Sequence, residues 1–115
     1  MVRSAQAFPR CARLTEAADY ARVFAIRKTS GGSVFMLRWA PNDNGKARLG
    51  LAISRKCARS AVARQRIKRV VRESFRIRQS SFPAVDIVVM CRPDAANLDK
   101  RRLREVLERL WQTIR

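Results

Sequence analysis

The residues of this chain best suited to chemistry are cations set in a row. Between positions 46 and 78 stand Lys46, Arg48, Arg55, Lys56, Arg59, Arg64, Arg66, Lys68, Arg69, Arg72, Arg76 and Arg78, against one acid, Glu73. The chemistry such a row supports is neutralisation of a polyanion. On a helix the pairs Lys68/Arg72 and Arg72/Arg76 are like charges at i and i+4, each costing a few tenths of a kcal/mol. An ordinary solvated face is the alternative, but it gives no return for repeating that cost. Arg outnumbers Lys 21 to 5, and the planar guanidinium suits bidentate phosphate contacts and stacking on bases. The chain has no His, which excludes a His-based triad, proton shuttle or His-ligated metal. Its nine acids show no spacing that would build a two-metal centre.

A second chemistry is stacking. Tyr20 and Phe24 stand one helical turn apart and could form a platform for single-stranded bases, which bind aromatic faces with little sequence preference. Core packing is the competing assignment for such a pair. Phe35 is a weaker candidate, Trp39 could equally be core, and Trp111 falls on an apolar helical stripe and reads as core.

Over 115 residues, 26 Lys and Arg against 9 Asp and Glu give a net charge of 26 − 9 = +17 and a pI near 11.7. A compact domain with that charge repels itself unless a polyanion neutralises it. The 47% hydrophobic content is too high for a disordered basic tail and fits a single domain over 1–115 with one modest core. Nucleic acid is preferred over a membrane as partner, because the apolar face of the basic segment is committed to the core and no aromatic fringe remains for lipid. No helix-turn-helix, basic zipper or zinc finger is recognisable, so phosphate and sugar contacts are expected rather than a base code. Cys11, Cys57 and Cys91 are widely spaced and odd in number, which suggests free thiols in a reducing cytosol. With no secretory apolar stretch and no run long enough to span a bilayer, a cytoplasmic location is expected.

The elements that must position these groups follow from periodicity. Residues 1–13 are expected to be extended, with Pro9 blocking an early helix. Thr15 is a plausible N-cap with Glu16 in the first turn, and Ala17, Tyr20, Ala21 and Phe24 then recur at helical spacing. A short strand is expected over 25–28, with Thr29-Ser30-Gly31-Gly32 as a turn. Residues 33–40 alternate, Phe35, Leu37 and Trp39 facing one way and Met36 and Arg38 the other. A third strand follows at 48–54. From about 60 to 78 runs the clearest helix, with Ala63, Ile67, Val70, Val71 and Ser74 on one stripe, Phe75 at its edge, and Gln65, Lys68, Arg69, Arg72 and Arg76 opposite. Residues 84–91 form an almost continuous apolar run of strand length. A last helix starts near Asn97 or Asp99, with Leu103, Val106, Leu107, Leu110, Trp111 and Ile114 inward. This order is an α+β sandwich, α-β-β-β-α-β-α, with helices packed on a four-stranded mixed sheet.

The run Arg64-Gln65-Arg66-Ile67-Lys68-Arg69-Val70-Val71-Arg72-Glu73-Ser74-Phe75-Arg76 resembles the signature helix of the bacterial ribonuclease P protein subunit family. Arg48-Leu49-Gly50-Leu51-Ala52-Ile53-Ser54-Arg55-Lys56 is similar to that family's third strand and following basic pair. Phe8-Pro9-Arg10, Arg13-Leu14 and Asp19-Tyr20-Ala21-Arg22-Val23-Phe24 resemble its N-terminal segment and first helix. The likeness covers about 8–114. Gln65 stands where the family's triplet has Asn, and Arg38 stands where an aromatic is expected on the second strand.

The resemblance implies a left-handed crossover joining parallel third and fourth strands, where general handedness rules would give a right-handed one. It also implies a division of labour. A catalytic RNA carries out metal-dependent hydrolysis at the 5′ end of precursor tRNA, while the protein binds that RNA and the single-stranded 5′ leader. Arg55, Lys56, Arg59, Arg64, Gln65, Arg66, Lys68, Arg69, Arg72 and Arg76 are then expected to contact the catalytic RNA, and Tyr20, Phe24 and Phe35 the leader. The stems of Arg64 and Lys68 have a packing alternative. No cofactor or metal bound by the protein and no obligate protein partner are expected, with Mg²⁺ acting in the whole ribonucleoprotein. The competing readings are a basic RNA-binding protein of the ribosome and a nuclease acting alone.

Overall fold

A computed structural model describes residues 13–14, 17–26, 28–32 and 34–114. The elements run α1 (Ala17–Ala25), β1 (Thr29–Gly31), β2 (Phe35–Pro41), β3 (Arg48–Ala52), α2 (Ala61–Arg78), β4 (Val85–Cys91) and α3 (Lys100–Trp111), with 3₁₀ turns at Gln79–Ser81 and Pro93–Asn97. The four strands form one mixed sheet in the order β1-β2-β4-β3. β4 is central, antiparallel to β2 from Phe35↔Cys91 to Pro41↔Val85 and parallel to β3 from Arg48↔Asp86 to Ala52↔Met90. The parallel pair requires a crossover, and α2 supplies it.

Both long helices form where their sequences start and stop them. The Ser60 side chain accepts from the Ala63 amide at 3.1 Å and caps α2, and Asp99 does the same for α3 with the Arg102 amide at 2.9 Å; each such cap contributes about 0.5–2 kcal/mol. The α2 stripe is buried as its period requires, through Ile67, Val70, Val71, Ser74 and Phe75. α3 buries Leu103, Leu107 and Trp111. The helices lock where the Trp111 indole donates to Ser74 Oγ at 2.7 Å, beside a Phe75–Phe82–Trp111 aromatic cluster.

Strand parity divides the sheet into two unequal faces. Phe35, Leu37 and Trp39 of β2, Leu49 of β3 and Val85, Ile87 and Val89 of β4 build the main core under α2 and α3. Alternate residues form a smaller cluster under α1, where Val23, Leu14, Ala40 and Val88 are buried and Tyr20 packs alongside.

Two expectations require correction. The first strand lies at Thr29–Gly31, one turn later than hydropathy suggests, because the ladder Thr29↔Arg38 to Gly31↔Met36 with β2 overrides the turn-like composition. Cys57 and Cys91 are paired in a disulfide with Cα atoms 5.7 Å apart, against the expectation of free thiols. Parallel pairing of β3 and β4 ends at Ala52↔Met90, so Cys57, in the loop after β3, meets Cys91, the last residue of β4, at one end of the sheet despite a separation of 34 in sequence. Thr15, Glu16, Cys11 and the segment before residue 13 lie outside the described residues. Among the described residues no helix is long and apolar enough to cross a membrane.

Candidate nucleic-acid interface

α2 is amphipathic, so burying its apolar stripe forces its cations outward in distinct positions. Arg69 and Gln65 are exposed at the crest, while Lys68, Arg72 and Arg76 are half-buried along its flanks. No acid stands in its first turn.

At the N-terminal end of α2, Arg55, Lys56, Arg59 and Arg64 line an open basin of about 760 Å³ together with Ala61. Arg64 is partly committed to structure, since its Nη1 donates to the carbonyls of Ala58 (2.9 Å) and Arg59 (2.8 Å) and holds the preceding loop in place. These bonds engage the guanidinium itself rather than the stem. Arg66 departs from the expected free cation more sharply. Its Nη2 donates to the Ala96 carbonyl at 3.1 Å, and its Nε is buried without a hydrogen-bond partner. Arg66 therefore braces α2 against the 3₁₀ turn before α3, and only part of its guanidinium remains for an external anion.

Along its other flank α2 borders β3, the edge strand of the sheet. Lys68 and Arg72 line a groove of about 170 Å³ together with Arg13, Leu14, Tyr20, Leu49 and Leu51. Leu14 extends the sheet here, its amide donating to the Leu49 carbonyl at 2.8 Å. Burial and the neighbouring Arg13 cation hold the Arg72 guanidinium below its ordinary pKa. An anion in the groove would offset both by placing an opposite charge beside the guanidinium. The groove thus joins the cationic helix to one of the two stacking candidates.

Those two aromatics behave differently. The Tyr20 ring lies against β3 at Gly50, and its hydroxyl donates to the Leu14 carbonyl at 3.2 Å. Phe24 is 38% exposed, and the Arg38 guanidinium stacks over its ring at 5.5 Å while Arg38 Nη1 donates to the Phe24 carbonyl at 3.2 Å. A cation over a ring face is an attractive pairing, and here it leaves Phe24 partly open to solvent. Arg38 is thus on the α1 side of the sheet and Trp39 is in the core.

Phe35 is not a leader contact. It is fully buried beneath the helices, on the side of β2 opposite Arg38. Odd positions of this strand face the main core, so no single-stranded base can reach the Phe35 ring.

A polar cluster that no motif in the sequence announces fixes α1 to the sheet. Asp86, wholly buried in β4, accepts two hydrogen bonds from Arg48 (Nε to Oδ1 at 2.8 Å, Nη2 to Oδ2 at 2.7 Å), one from Asn42 Nδ2 at 2.8 Å, and one from Arg22 of α1. Arg22 also donates to the Pro41 carbonyl at 2.6 Å. Burial alone would raise the Asp86 carboxyl; the bonds from Arg48 and Asn42, with the Arg48 and Arg22 charges, outweigh it and hold the carboxyl below its usual range. The same carboxylate raises Arg48. A lone Asp inside the apolar run 84–91 was the available signal, since a buried charge must find partners. Among the described residues, no group of three His, Cys, Asp or Glu is placed to hold a metal ion.

A family model described as Ribonuclease P matches residues 8–115. The chain is 51% identical over 106 residues to the ribonuclease P protein component of Thioalkalivibrio sulfidiphilus, covering 92% of this chain and 88% of that protein. Against the corresponding protein of Escherichia coli O157:H7 the identity is 42%, with 92% and 89% covered. Among solved structures, the Staphylococcus aureus RNase P protein superposes with a TM-score of 0.83 at 28% identity, over 88% of this chain and 93% of that one. The Thermotoga maritima RNase P protein gives 0.74 at 30% identity, over 87% and 96%.

Proposed function

The chain belongs to the ribonuclease P protein family, and from that premise we propose that it seats the catalytic RNA on α2 and holds the 5′ leader of precursor tRNA on the α1 side of the sheet. The observation that carries this reading is the groove shared by Lys68, Arg72 and Tyr20. It makes one continuous surface of a cationic helix suited to phosphates and an aromatic suited to bases. Membership in the family implies partnership with ribonuclease P RNA, and the ribosomal alternative gains no support from the matches.

The RNA-contacting set is Arg55, Lys56, Arg59, Gln65, Lys68, Arg69, Arg72 and Arg76, with Arg64 and Arg66 serving chiefly to fix the helix in place. Arg69 and Gln65 meet the RNA directly from the crest. Gln65 keeps an amide donor and acceptor on a longer stem. On the α1 side, Phe24 offers an exposed ring to leader bases and Tyr20 a half-buried one. Phosphate contacts of this kind position an RNA without reading its sequence.

Hydrolysis belongs to the RNA and its Mg²⁺, with no metal or cofactor resident in the protein. This chain has no His, so proton transfer by an imidazole is closed to it. The ribonucleoprotein, not the chain alone, is the endonuclease that frees the mature 5′ end of tRNA. The test is binding of precursor and mature tRNA with and without ribonuclease P RNA. Preference for the leader-bearing substrate should appear with the catalytic RNA present, and an unchanged preference in its absence would count against this division of labour.

A further inference from the structure

A second group of cations stands apart from the α2 face, at the start of α3. Lys100, Arg101, Arg102 and Arg104 fill four of the first five positions of that helix, all are exposed, and its first turn holds no acid. Cations are least favourable at this end of a helix, where the backbone dipole is positive. The local carboxylates do little to offset them. Asp99 is engaged as N-cap by the Arg102 amide. Arg101 reaches Glu105 at 3.6 Å, but both side chains are largely in water, at 85% and 54% exposure, where such pairs are weak. Among the described residues no side-chain hydrogen bond or ion pair engages Lys100, Arg102 or Arg104.

The position of this group suggests its partner. α2 and α3 cover the same face of the sheet, opposite the α1 side. Arg66 Nη2 donates to the Ala96 carbonyl just before α3, tying the start of α3 to the N-terminal half of α2. At the start of α3 itself, Asn97, Leu98 and Asp99 line an open depression of about 450 Å³ with Arg101 and Arg102. The large exposed apolar residues, Phe24, Val62 and Ile77, lie on α1 and α2, so the α3 patch offers charge without an apolar anchor. Such a surface fits a phosphate backbone better than a protein partner, whose interface needs a buried apolar or aromatic centre.

We propose that the start of α3 is a second phosphate-contacting surface for the ribonuclease P RNA, engaging backbone that continues past the N-terminal end of α2. This inference rests on the function proposed above. The unfavourable placement of the cations is then explained, because the RNA supplies the neutralising charge that the fold does not.

The test compares three proteins in binding to a bacterial ribonuclease P RNA transcript over a salt series: wild type, Arg69→Ala/Arg72→Ala on α2, and Arg102→Gln/Arg104→Gln on α3. Each lost phosphate contact should reduce the log–log salt slope by about 0.7–0.9, so the α3 variant should lose about 1.4–1.8. Its melting temperature should hold or rise, since like charges leave a helix start. A further variant, Arg102→Lys/Arg104→Lys, should retain most of the slope. If the α3 variant binds as wild type while the α2 variant is weakened, the α3 surface is refuted and the proposed function stands. If neither variant changes affinity or slope, both fall together.

Discussion

The ring of Tyr20 occupies the space that a side chain at Gly50 would need. A Cβ added at Gly50 would lie 2.8 Å from Tyr20 Cζ and from its hydroxyl oxygen. Tyr20 is therefore held at the groove edge by the absence of a side chain on β3, and its hydroxyl bond to the Leu14 carbonyl fixes the ring from its far end. Gly50→Ala should displace the ring and cost about 1–3 kcal/mol of stability, with weaker binding of leader-bearing precursor tRNA. In a Tyr20→Ala background the same change should cost far less. Full additivity in this double-mutant cycle would show that the ring and Gly50 are energetically independent.

Phe24 separates recognition from stability. At 38% exposure it lacks the enclosure of a core residue, whose truncation costs about 3–5 kcal/mol. Phe24→Ala should therefore melt near the wild-type temperature while weakening leader-bearing substrate by about 1–3 kcal/mol. Mature tRNA, which has no leader, should bind unchanged. A large drop in melting temperature with equal loss for both substrates would assign Phe24 to the core.

Removing Arg69 and Arg72 should lower affinity for the catalytic RNA and flatten its salt dependence by roughly one per lost contact. Arg72 should contribute more than an isolated surface cation, because it is half-buried in the groove beside Arg13 and a bound phosphate would neutralise both charges at once. Single substitutions measured at two salt concentrations distinguish the two side chains.

The Asp86 cluster should make folding sensitive to acid. Its carboxyl is held below the ordinary value of 3.8, so its stabilisation is fully present above about pH 4 and is lost as pH falls through the lower folded-state value. Asp86→Asn should cost about 3 kcal/mol, the low end for a broken buried pair because Arg22 and Arg48 can still turn to water. Thermal melts across pH 2–7 should show the wild-type loss on acidification and a flatter profile for the variant.

What could be read from the sequence followed from periodicity. The stripes of α2 and α3 and the alternation of β2 were legible because burial imposes a period of 3.6 or 2 on the chain itself. What depended on pairing across the fold was not. Thr29-Ser30-Gly31 has turn composition and became β1 only because β2 offers it a ladder. Cys57 and Cys91 meet through the parallel register of β3 and β4, which no local pattern reveals. The cationic helix was evident as a site, but its division into outward cations and braces was not, because the partners of Arg64 and Arg66 are backbone carbonyls outside α2. Phe35 faces the core and not the leader, in line with the strand's own alternation, which sets it beside Leu37 and Trp39.

The central claim is that this chain serves a catalytic RNA and does not hydrolyse RNA itself. It is tested most directly by cleavage of precursor tRNA at low Mg²⁺ with the purified protein alone, ribonuclease P RNA alone, and the two together. The account predicts no cleavage by the protein, little by the RNA, and accurate release of the 5′ leader by the mixture. Cleavage by the protein alone that survives stringent removal of contaminating nuclease would contradict it.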